Sequence, residues 1–87
     1  MYVILVYDVN VKRVAKVLKI ARRYLTWVQN SVLEGEITEA KFRALQSELE
    51  QVVNRKEDSL LFYILGSEKY SKRLLIGIRK GGEEWIY

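Results

Sequence analysis

Asp8 is the side chain with the clearest potential for chemistry, because it is the only acidic residue among the first 33 and it ends an apolar run. The run, residues 2–8, reads Tyr-Val-Ile-Leu-Val-Tyr-Asp and predicts a strand buried on both faces. Mg²⁺ prefers oxygen ligands and often takes one or two carboxylates together with waters and substrate phosphate. Asp8 is therefore a candidate ligand for Mg²⁺ or Mn²⁺ at a phosphodiester. The alternative from spacing alone is a residue that caps the following helix.

The composition removes most other kinds of catalysis. The 87-residue chain contains no cysteine and no histidine, so disulfides, thiolate metal sites and the usual general base are excluded. Its length predicts one domain, residues 1–87. An apolar run of about 18 residues and a signal-peptide pattern are both missing, which predicts a cytoplasmic protein without a membrane span.

Positive charge is concentrated in the first part of the chain. Six of the 15 basic residues lie among the first 33 residues, where Asp8 is the only acid: Lys12, Arg13, Lys16, Lys19, Arg22 and Arg23. The remaining nine basic residues are balanced by ten of the 11 acidic ones. A local positive field of this kind is typical of proteins that bind a phosphate backbone.

Residues 11–25 predict an amphipathic helix with a cationic exposed side. Its apolar residues recur at helical spacing: Val14, Val17, Leu18, Ala21 and Leu25. The candidate nucleic-acid-binding residues of this helix are Lys12, Arg13, Lys16, Lys19 and Arg23. No acidic residue of the helix pairs with these cations, so phosphate binding and an ordinary solvated face are about equally acceptable.

The remaining pattern predicts an α+β fold. Residues 26–37 are extended, with a turn at Asn30 and Ser31 that would divide them into two short strands. A second helix is predicted from an N-cap at Thr38 to Val53. Loops are predicted at 54–58 and 66–72, strands at 59–65 and 74–78, and a last strand or tail at 83–87. This order fits a ferredoxin-like βαββαβ sandwich with an extra C-terminal strand.

The strands are apolar on both faces, although two helices can cover only one face of such a sheet. Side chains alternate along residues 2–8, so that Tyr2, Ile4, Val6 and Asp8 share one face and Val3, Leu5 and Tyr7 the other. Another copy of the chain is the simplest cover for the second face, because most soluble homo-oligomers are two-fold dimers. The pattern predicts a sheet-to-sheet homodimer in which two Asp8 carboxylates could meet near the axis.

The aromatic residues of the strands offer a second way to bind nucleic acid. Exposed aromatics on the middle strands of this fold stack on RNA bases in some proteins, and the candidates are Tyr2, Tyr7, Phe62 and Tyr63. No glycine-and-aromatic signature of such RNA readers is present, which favours core or dimer-interface roles. Trp27 and Trp85 are candidate interface anchors.

Three stretches together carry a resemblance to a known family: Tyr-Asp-Val-Asn at 7–10, the cationic helix, and Trp-Val-Gln-Asn-Ser-Val-Leu-Glu-Gly-Glu-Ile-Thr at 27–38. Over residues 1–80 the chain resembles the small dimeric CRISPR-associated endoribonucleases of spacer acquisition, which are partners of the CRISPR integrase. The resemblance implies a ferredoxin-like protomer and a homodimer. It also implies divalent-metal-dependent cleavage of RNA or double-stranded DNA, as in some members.

The same resemblance implies roles for individual residues. Asp8 would bind the metal, and Tyr7, Asp8, Arg13 and Ser31 would form the catalytic site. The chain departs from the family where Trp27 replaces a basic residue of some members and where Leu33 replaces a common phenylalanine. As a scaffold, the dimer would bridge integrase subunits and contact a duplex through the cationic helix and through Lys69, Lys72, Arg73, Arg79 and Lys80.

Three other functions remain open at this point. The dimer could bind a duplex without catalysis, with Asp8 in a structural role. It could also be a toxin-like ribonuclease of a toxin-antitoxin pair, since related small dimers occur there. A regulatory domain that binds a small molecule is the weakest of the three, because it would not explain the cationic helix.

Overall fold

The computed structural model of the chain describes residues 1–66 and 71–80. Its elements, in chain order, are β1 (Tyr2–Asp8), α1 (Val11–Ala21), β2 (Thr26–Gln29), β3 (Val32–Glu36), α2 (Glu39–Glu50), β4 (Ser59–Leu65) and β5 (Ser71–Gly77). The strands form an antiparallel sheet in the order β2-β3-β1-β4-β5. This is the predicted ferredoxin-like βαββαβ sandwich with an extra C-terminal strand. The strand or tail predicted at 83–87 lies outside the described residues.

β1 is the middle strand, between β3 and β4. Val3, Leu5 and Tyr7 are buried in one cluster with Val17 of α1 and Leu45 of α2, so both helices pack against their side of the sheet. The alternate residues of β1 are only half-buried, and Asp8 is exposed. Asp8 therefore lies on the face away from the helices, which confirms the face predicted from the alternation.

α1 begins at an N-cap supplied by Asn10. The Asn10 side chain accepts a hydrogen bond from the backbone N–H of Lys12 at 3.0 Å, which satisfies one of the unpaired donors of the first turn. The alternative role of Asp8 as the cap of this helix is therefore wrong. Asp8 lies two residues earlier, with an exposed side chain.

α1 ends at Ala21, four residues before the predicted end at Leu25. The N–H groups of Arg23 and Tyr24 donate to carbonyls three residues back, at 3.1 and 3.0 Å, so the last turn tightens and stops. Leu25 is nevertheless buried in the core, at 5% exposure. Because Leu25 continues the apolar spacing of α1, the predicted helix extends four residues too far.

α2 and β5 show the same kind of boundary shift. Thr38 is confirmed as the N-cap of α2, because its Oγ1 accepts from Lys41 N at 3.2 Å. α2 ends at Glu50 instead of Val53, since the N–H of Val52 donates to the carbonyl of Leu49, three residues back, at 3.0 Å and the last turn tightens. β5 begins at Ser71 and not at residue 74, because its polar first half pairs with β4 as fully as its apolar second half does.

The predicted turn at Asn30 joins β2 to β3. Asn30 adopts a positive φ of 34°, a conformation that asparagine tolerates better than most residues. β2 forms an edge of the sheet, and all four of its residues are exposed. In the described part of the chain, neither helix is long and apolar enough to span a bilayer.

The sheet face opposite the helices is rich in apolar side chains. It carries Ile4 and Val6 of β1, Leu61, Tyr63 and Leu65 of β4, and Leu75 of β5. These residues range from buried to exposed and lie outside the cluster beneath the helices. The two-faced apolar character predicted for the strands is therefore present in the structure.

Phe62 is the core residue whose truncation should cost most. It is fully buried and packs edge-on against Phe42, with ring centroids 5.2 Å apart. Phe62→Ala should lower the free energy of unfolding by about 3 to 5 kcal/mol, because it leaves a cavity in a close-packed core. Guanidinium denaturation at one fixed protein concentration measures this change. The control Val11→Ala alters a residue that is 85% exposed and should shift the value by less than about 0.5 kcal/mol; equal losses would contradict the assignment of the core.

Candidate functional site

The end of β1 presents a carboxylate to solvent. The Asp8 side chain is 67% exposed, and Lys80 Nζ lies 3.5 Å from its Oδ1. The same ammonium donates a hydrogen bond to the backbone carbonyl of Asp8 at 3.2 Å. We call Asp8 and Lys80 the Asp8 site. It combines an accessible oxygen ligand with a cation supplied from the other end of the chain.

The buried carboxylate of Asp58 fixes the turn that follows Asp8. Its Oδ1 accepts from Asn10 N at 2.9 Å, and its Oδ2 accepts from Asn54 N at 2.8 Å. The Arg13 guanidinium donates to both oxygens, from Nε at 2.6 Å and from Nη2 at 3.1 Å. Bidentate pairs of this kind are among the strongest hydrogen-bonded contacts in proteins. Asp58 thus ties the start of α1 to the segment that leads into β4.

These contacts keep Asp58 charged. Burial raises the pKa of Asp58, but hydrogen bonds from Arg13 and from the N–H groups of Asn54 and Asn10 outweigh that effect and lower the pKa from 3.8 to about 2. In the opposite direction, the hydrogen bond to Asp58 raises the pKa of Arg13. The pair is therefore a permanent ion pair at neutral pH.

Arg13 is held inside this network. Its side chain is 15% exposed, and Glu57 adds a second ion pair at 3.2 Å from Nη2. The guanidinium is already engaged by two carboxylates, which gives Arg13 a structural role in the protein. Its catalytic and phosphate-binding roles stay predictions.

Tyr7 and Ser31 lie beside the same strand end, but in different ways. The Tyr7 side chain is 4% exposed and faces the helices, on the opposite side of the sheet from Asp8. Its backbone N–H donates to the carbonyl of Ser31 at 3.1 Å. The structure thus places the Ser31 backbone beside Tyr7, one residue before Asp8, whereas the Tyr7 ring lies on the other face of the sheet from the Asp8 side chain. The catalytic roles of both residues stay predictions.

The cations predicted on the first helix divide into those that contact a partner side chain and those that form no ion pair among the described residues, and Arg22 and Arg23 lie just after the end of α1. Arg23 forms an ion pair with Glu48 of α2, and Arg22 lies over the Trp27 ring, 5.4 Å from its centroid. The α1 lysines, by contrast, take part in no ion pair among residues 1–66 and 71–80, and all of them are exposed: Lys12, Lys16 and Lys19. Spacings of four and three residues place them on one side of the helix. They are the accessible part of the predicted phosphate-binding surface.

The described members of the second predicted basic group, Lys72, Arg73, Arg79 and Lys80, do not form one surface. Lys72 and Arg73 are neighbours in β5, so their side chains point to opposite faces of the sheet. Arg79 lines a shallow pocket with Leu61, Arg73 and Leu75, on the face opposite the helices. Lys80 belongs to the Asp8 site. Lys69 and Trp85 lie outside the described residues.

Comparison with known proteins decides the family. Residues 1–73 match the family model described as CRISPR associated protein Cas2. The chain belongs to the Cas2 family. It is 59% identical over 86 residues to a protein named CRISPR-associated endoribonuclease Cas2 from Dictyoglomus turgidum, covering 99% of each chain. A protein of the same name from Thermotoga maritima is 53% identical over 87 residues, covering 100% of each chain.

Solved Cas2 structures share the fold. The crystal structure of Streptococcus pyogenes Cas2 at pH 6.5 superimposes with a TM-score of 0.70 and 39% identity, covering 78% of this chain and 89% of that chain. A second structure, titled "Crystal structure of cas2", gives a TM-score of 0.74 and 42% identity, covering 100% of this chain and 98% of that chain. The resemblance inferred from the sequence motifs is thereby confirmed.

The donor set at the Asp8 site fits a divalent cation in one particular way. Among the residues that the structure describes, no group of three acidic side chains is placed to hold a metal ion. Asp8 supplies one accessible carboxylate, and Mg²⁺ or Mn²⁺ can complete its shell with waters and substrate phosphate. In this Cas2 chain, Asp8 is therefore suited to a metal that is shared with a substrate or with a second copy of the site.

Asp58 is the residue of this region that sequence reasoning missed. The sequence predicts it as the last residue of a polar loop at 54–58, next to another acidic residue, Glu57. A usable signal was present, because Asp58 directly precedes a strand, residues 59–65, in which all but the first residue are apolar. A carboxylate in that position is drawn into the core and needs a cation.

Gly77 permits the close packing around Asp58. Its φ is +101°, and a Cβ at this position would lie 2.0 Å from the Asp58 carbonyl oxygen. The next residue, Ile78, donates its N–H to that same oxygen at 2.9 Å. Only glycine lets the end of β5 approach Asp58 this closely.

The Asp58 ion pair should give the protein an acid-dependent stability. The folded pKa of about 2 lies below the usual 3.8, so the contribution is complete above the usual pKa and is lost as the pH falls through the folded one. The pKa difference corresponds to about 2 kcal/mol. Asp58→Asn should therefore be less stable than the wild type at neutral pH, and the gap should shrink by about that amount by about pH 2.

Urea denaturation of both proteins across this pH range measures the gap. The control is Glu57→Gln, which removes the other carboxylate near Arg13, one that is 46% exposed. Its gap from the wild type should stay within about 1 kcal/mol, because exposed ion pairs contribute little. A gap for Asp58→Asn that does not depend on pH would contradict the proposed source of the stability.

Proposed function

We propose that this Cas2-family chain is a homodimeric, metal-dependent endonuclease of CRISPR spacer acquisition that acts on RNA or double-stranded DNA. The observation that carries the proposal is the solvent-exposed Asp8 carboxylate at the rim of an apolar sheet face. Support comes from the relatives named endoribonucleases, which match nearly the whole chain. The cytoplasmic location stays a prediction.

The proposed dimer buries the sheet face that the helices leave uncovered. Ile4, Val6, Tyr63 and Leu75 are half-buried on this face, and a second copy would remove them further from water. Burial of apolar area is the main driving force for association of this kind. Since Asp8 is on the same face, a two-fold arrangement would bring two carboxylates toward each other.

In this proposal the Asp8 carboxylate binds the metal, and the protein positions the substrate. When bound, Mg²⁺ or Mn²⁺ would supply charge stabilisation and an activated water at the phosphodiester. Asp8 would orient the ion, and Asp58 would hold the turn after Asp8 so that the carboxylate stays at the strand end. One carboxylate per chain is a sparse donor set, which fits an activity that is weak or conditional.

The exposed lysines of α1 are the proposed contacts to a phosphate backbone. Lys12, Lys16 and Lys19 are neighbours on one helix face and would position a duplex without reading its bases. The same surface would let the dimer act as a scaffold that bridges subunits of the CRISPR integrase along a prespacer duplex. A scaffold without catalysis is the alternative within the family. A toxin-like ribonuclease finds no support in the family assignment.

Replacing Asp8 separates the enzyme from the scaffold. In the presence of Mg²⁺ or Mn²⁺, Asp8→Asn should reduce cleavage by about 100-fold or more, the scale on which a single preorganised electrostatic group acts. The measurement is cleavage of labelled RNA and of labelled duplex DNA, with sedimentation to verify a mass of twice 10.3 kDa.

The matched control is Glu36→Gln, which removes another exposed carboxylate from the same sheet face. It should leave cleavage unchanged. Activity that survives in Asp8→Asn would point to a contaminant, and a wild type that binds a duplex without cutting it would favour the scaffold. A mass of one chain for the wild type would refute the dimer.

Salt dependence tests the lysine surface. The double replacement Lys16→Ala with Lys19→Ala should weaken duplex binding and reduce the slope of log K against log salt by about 0.9 for each lysine that contacts a phosphate. Fluorescence anisotropy at several salt concentrations gives the slope. The control is the double replacement Lys41→Ala with Arg43→Ala, which removes the same charge from exposed positions of α2. It should leave the salt slope unchanged. An unaltered slope for the α1 variant would place the binding surface elsewhere.

A further inference from the structure

Lys80 holds a position at the Asp8 site that the proposed function does not use. Its ammonium has two contacts with Asp8, one to the carboxylate at 3.5 Å and one to the backbone carbonyl at 3.2 Å. The Lys80 side chain is 32% exposed, so it is less accessible than the carboxylate it approaches. A cation from the chain itself therefore lies beside one oxygen of the carboxylate that would bind a metal ion.

The backbone keeps Lys80 in this position. Gly77 pairs with Ser59 in the β4–β5 ladder, and Ser59 pairs with Asp8 in the β1–β4 ladder. The N–H of Ile78 then donates to the carbonyl of Asp58 at 2.9 Å. Lys80 follows two residues later, so the segment that carries it is fixed beside the end of β1. The sheet therefore brings the backbone near Lys80 close to the end of β1, and the Lys80 side chain reaches Asp8 from there.

The two contacts of the ammonium differ in what a metal ion would do to them. A divalent cation on the Asp8 carboxylate would weaken the contact of the ammonium with Oδ1, because the two positive charges repel each other at this distance. The carbonyl contact does not compete with the metal. Lysine has three N–H donors on a flexible stem, so it can leave the carboxylate, stay near the carbonyl and direct its remaining donors to an anion.

We propose that Lys80 is a further substrate-binding residue of the Asp8 site, an inference that rests on the metal role proposed for Asp8. In the metal-free protein its ammonium neutralises the Asp8 carboxylate. When a divalent cation takes the carboxylate, the ammonium turns to a phosphate of the substrate bound beside the metal. Lys80 thus makes metal binding weaker and substrate binding dependent on the metal.

Metal binding without substrate tests the first half of the proposal. Mn²⁺ is titrated into the full chain, and free Mn²⁺ is followed by electron paramagnetic resonance. Lys80→Met should bind Mn²⁺ about three- to fivefold more tightly than the wild type, the scale of an exposed ion pair. Lys41→Met removes the same charge beside Thr38, at the other end of β1, and should equal the wild type. Asp8→Asn should lose the site.

The outcomes of this titration separate the two proposals. Equal affinity in Lys80→Met and the wild type, with binding that still needs Asp8, would overturn the inference and leave the metal role of Asp8 intact. Equal gains in Lys80→Met and Lys41→Met would also overturn it, because the effect would then be general charge. If neither the wild type nor Lys80→Met binds Mn²⁺ through Asp8, with or without added duplex, the metal role itself fails and the inference fails with it.

Duplex binding tests the second half. Fluorescence anisotropy compares Lys80→Met with the wild type at saturating Mn²⁺ and without metal. The variant should lose affinity with Mn²⁺ present and should match the wild type without it, because the ammonium is then engaged by Asp8. An equal loss under both conditions would identify Lys80 as an ordinary phosphate contact and overturn the coupling to metal. No loss under either condition would overturn its contact with substrate.

Discussion

The ion pair between Asp58 and Arg13 is the contact on which the geometry of the site depends. It joins residues 45 positions apart in the chain, and each group is needed because the other is buried beside it. A buried charge that loses its partner typically costs about 3 to 5 kcal/mol. Through its carboxylate and its carbonyl, Asp58 also holds Asn10 and Ile78, the residues that flank the Asp8 site on either side. The buried carboxylate of Asp58 thus sets the position of the exposed carboxylate of Asp8.

Neighbouring residues of β1 have opposite environments because a strand alternates its side chains. Tyr7 is buried beneath the helices, whereas Asp8 faces solvent on the uncovered side. The core therefore fixes the position of Tyr7. The next residue, Asp8, stays accessible to solvent at the end of the strand. This is how a short chain without histidine or cysteine can present a carboxylate in a defined place.

The sequence was most informative where periodicity alone decides the structure. The bounds of β1 and β4, the turn at Asn30 and the Thr38 cap were predicted from alternation and capping chemistry, and all are observed. The ends of the helices were predicted too late, because Leu25 and Val53 continue an apolar spacing after the backbone has turned. The start of β5 was missed because polar residues can pair in a sheet edge as well as apolar ones.

The site itself was only partly predictable. Asp8 stood out by being isolated in sequence, whereas the pairing of Arg13 with Asp58 and of Lys80 with Asp8 depends on contacts between residues that are distant in the chain. A charge pattern shows that a helix is cationic, but not which cations find a carboxylate on another element. Arg13 and Arg23 do so, and the lysines between them stay exposed.

The close approach at Gly77 has an evolutionary consequence. Even the methyl group of alanine would overlap the Asp58 carbonyl oxygen, which lies 2.0 Å from where that group would be. In a randomised library selected for folding, position 77 should therefore accept nothing larger than hydrogen, while the lysines of α1 drift freely. A natural variant with a side chain here would need a compensating rearrangement of the backbone on the Asp58 side, so this glycine marks a point where the fold of this chain resists change.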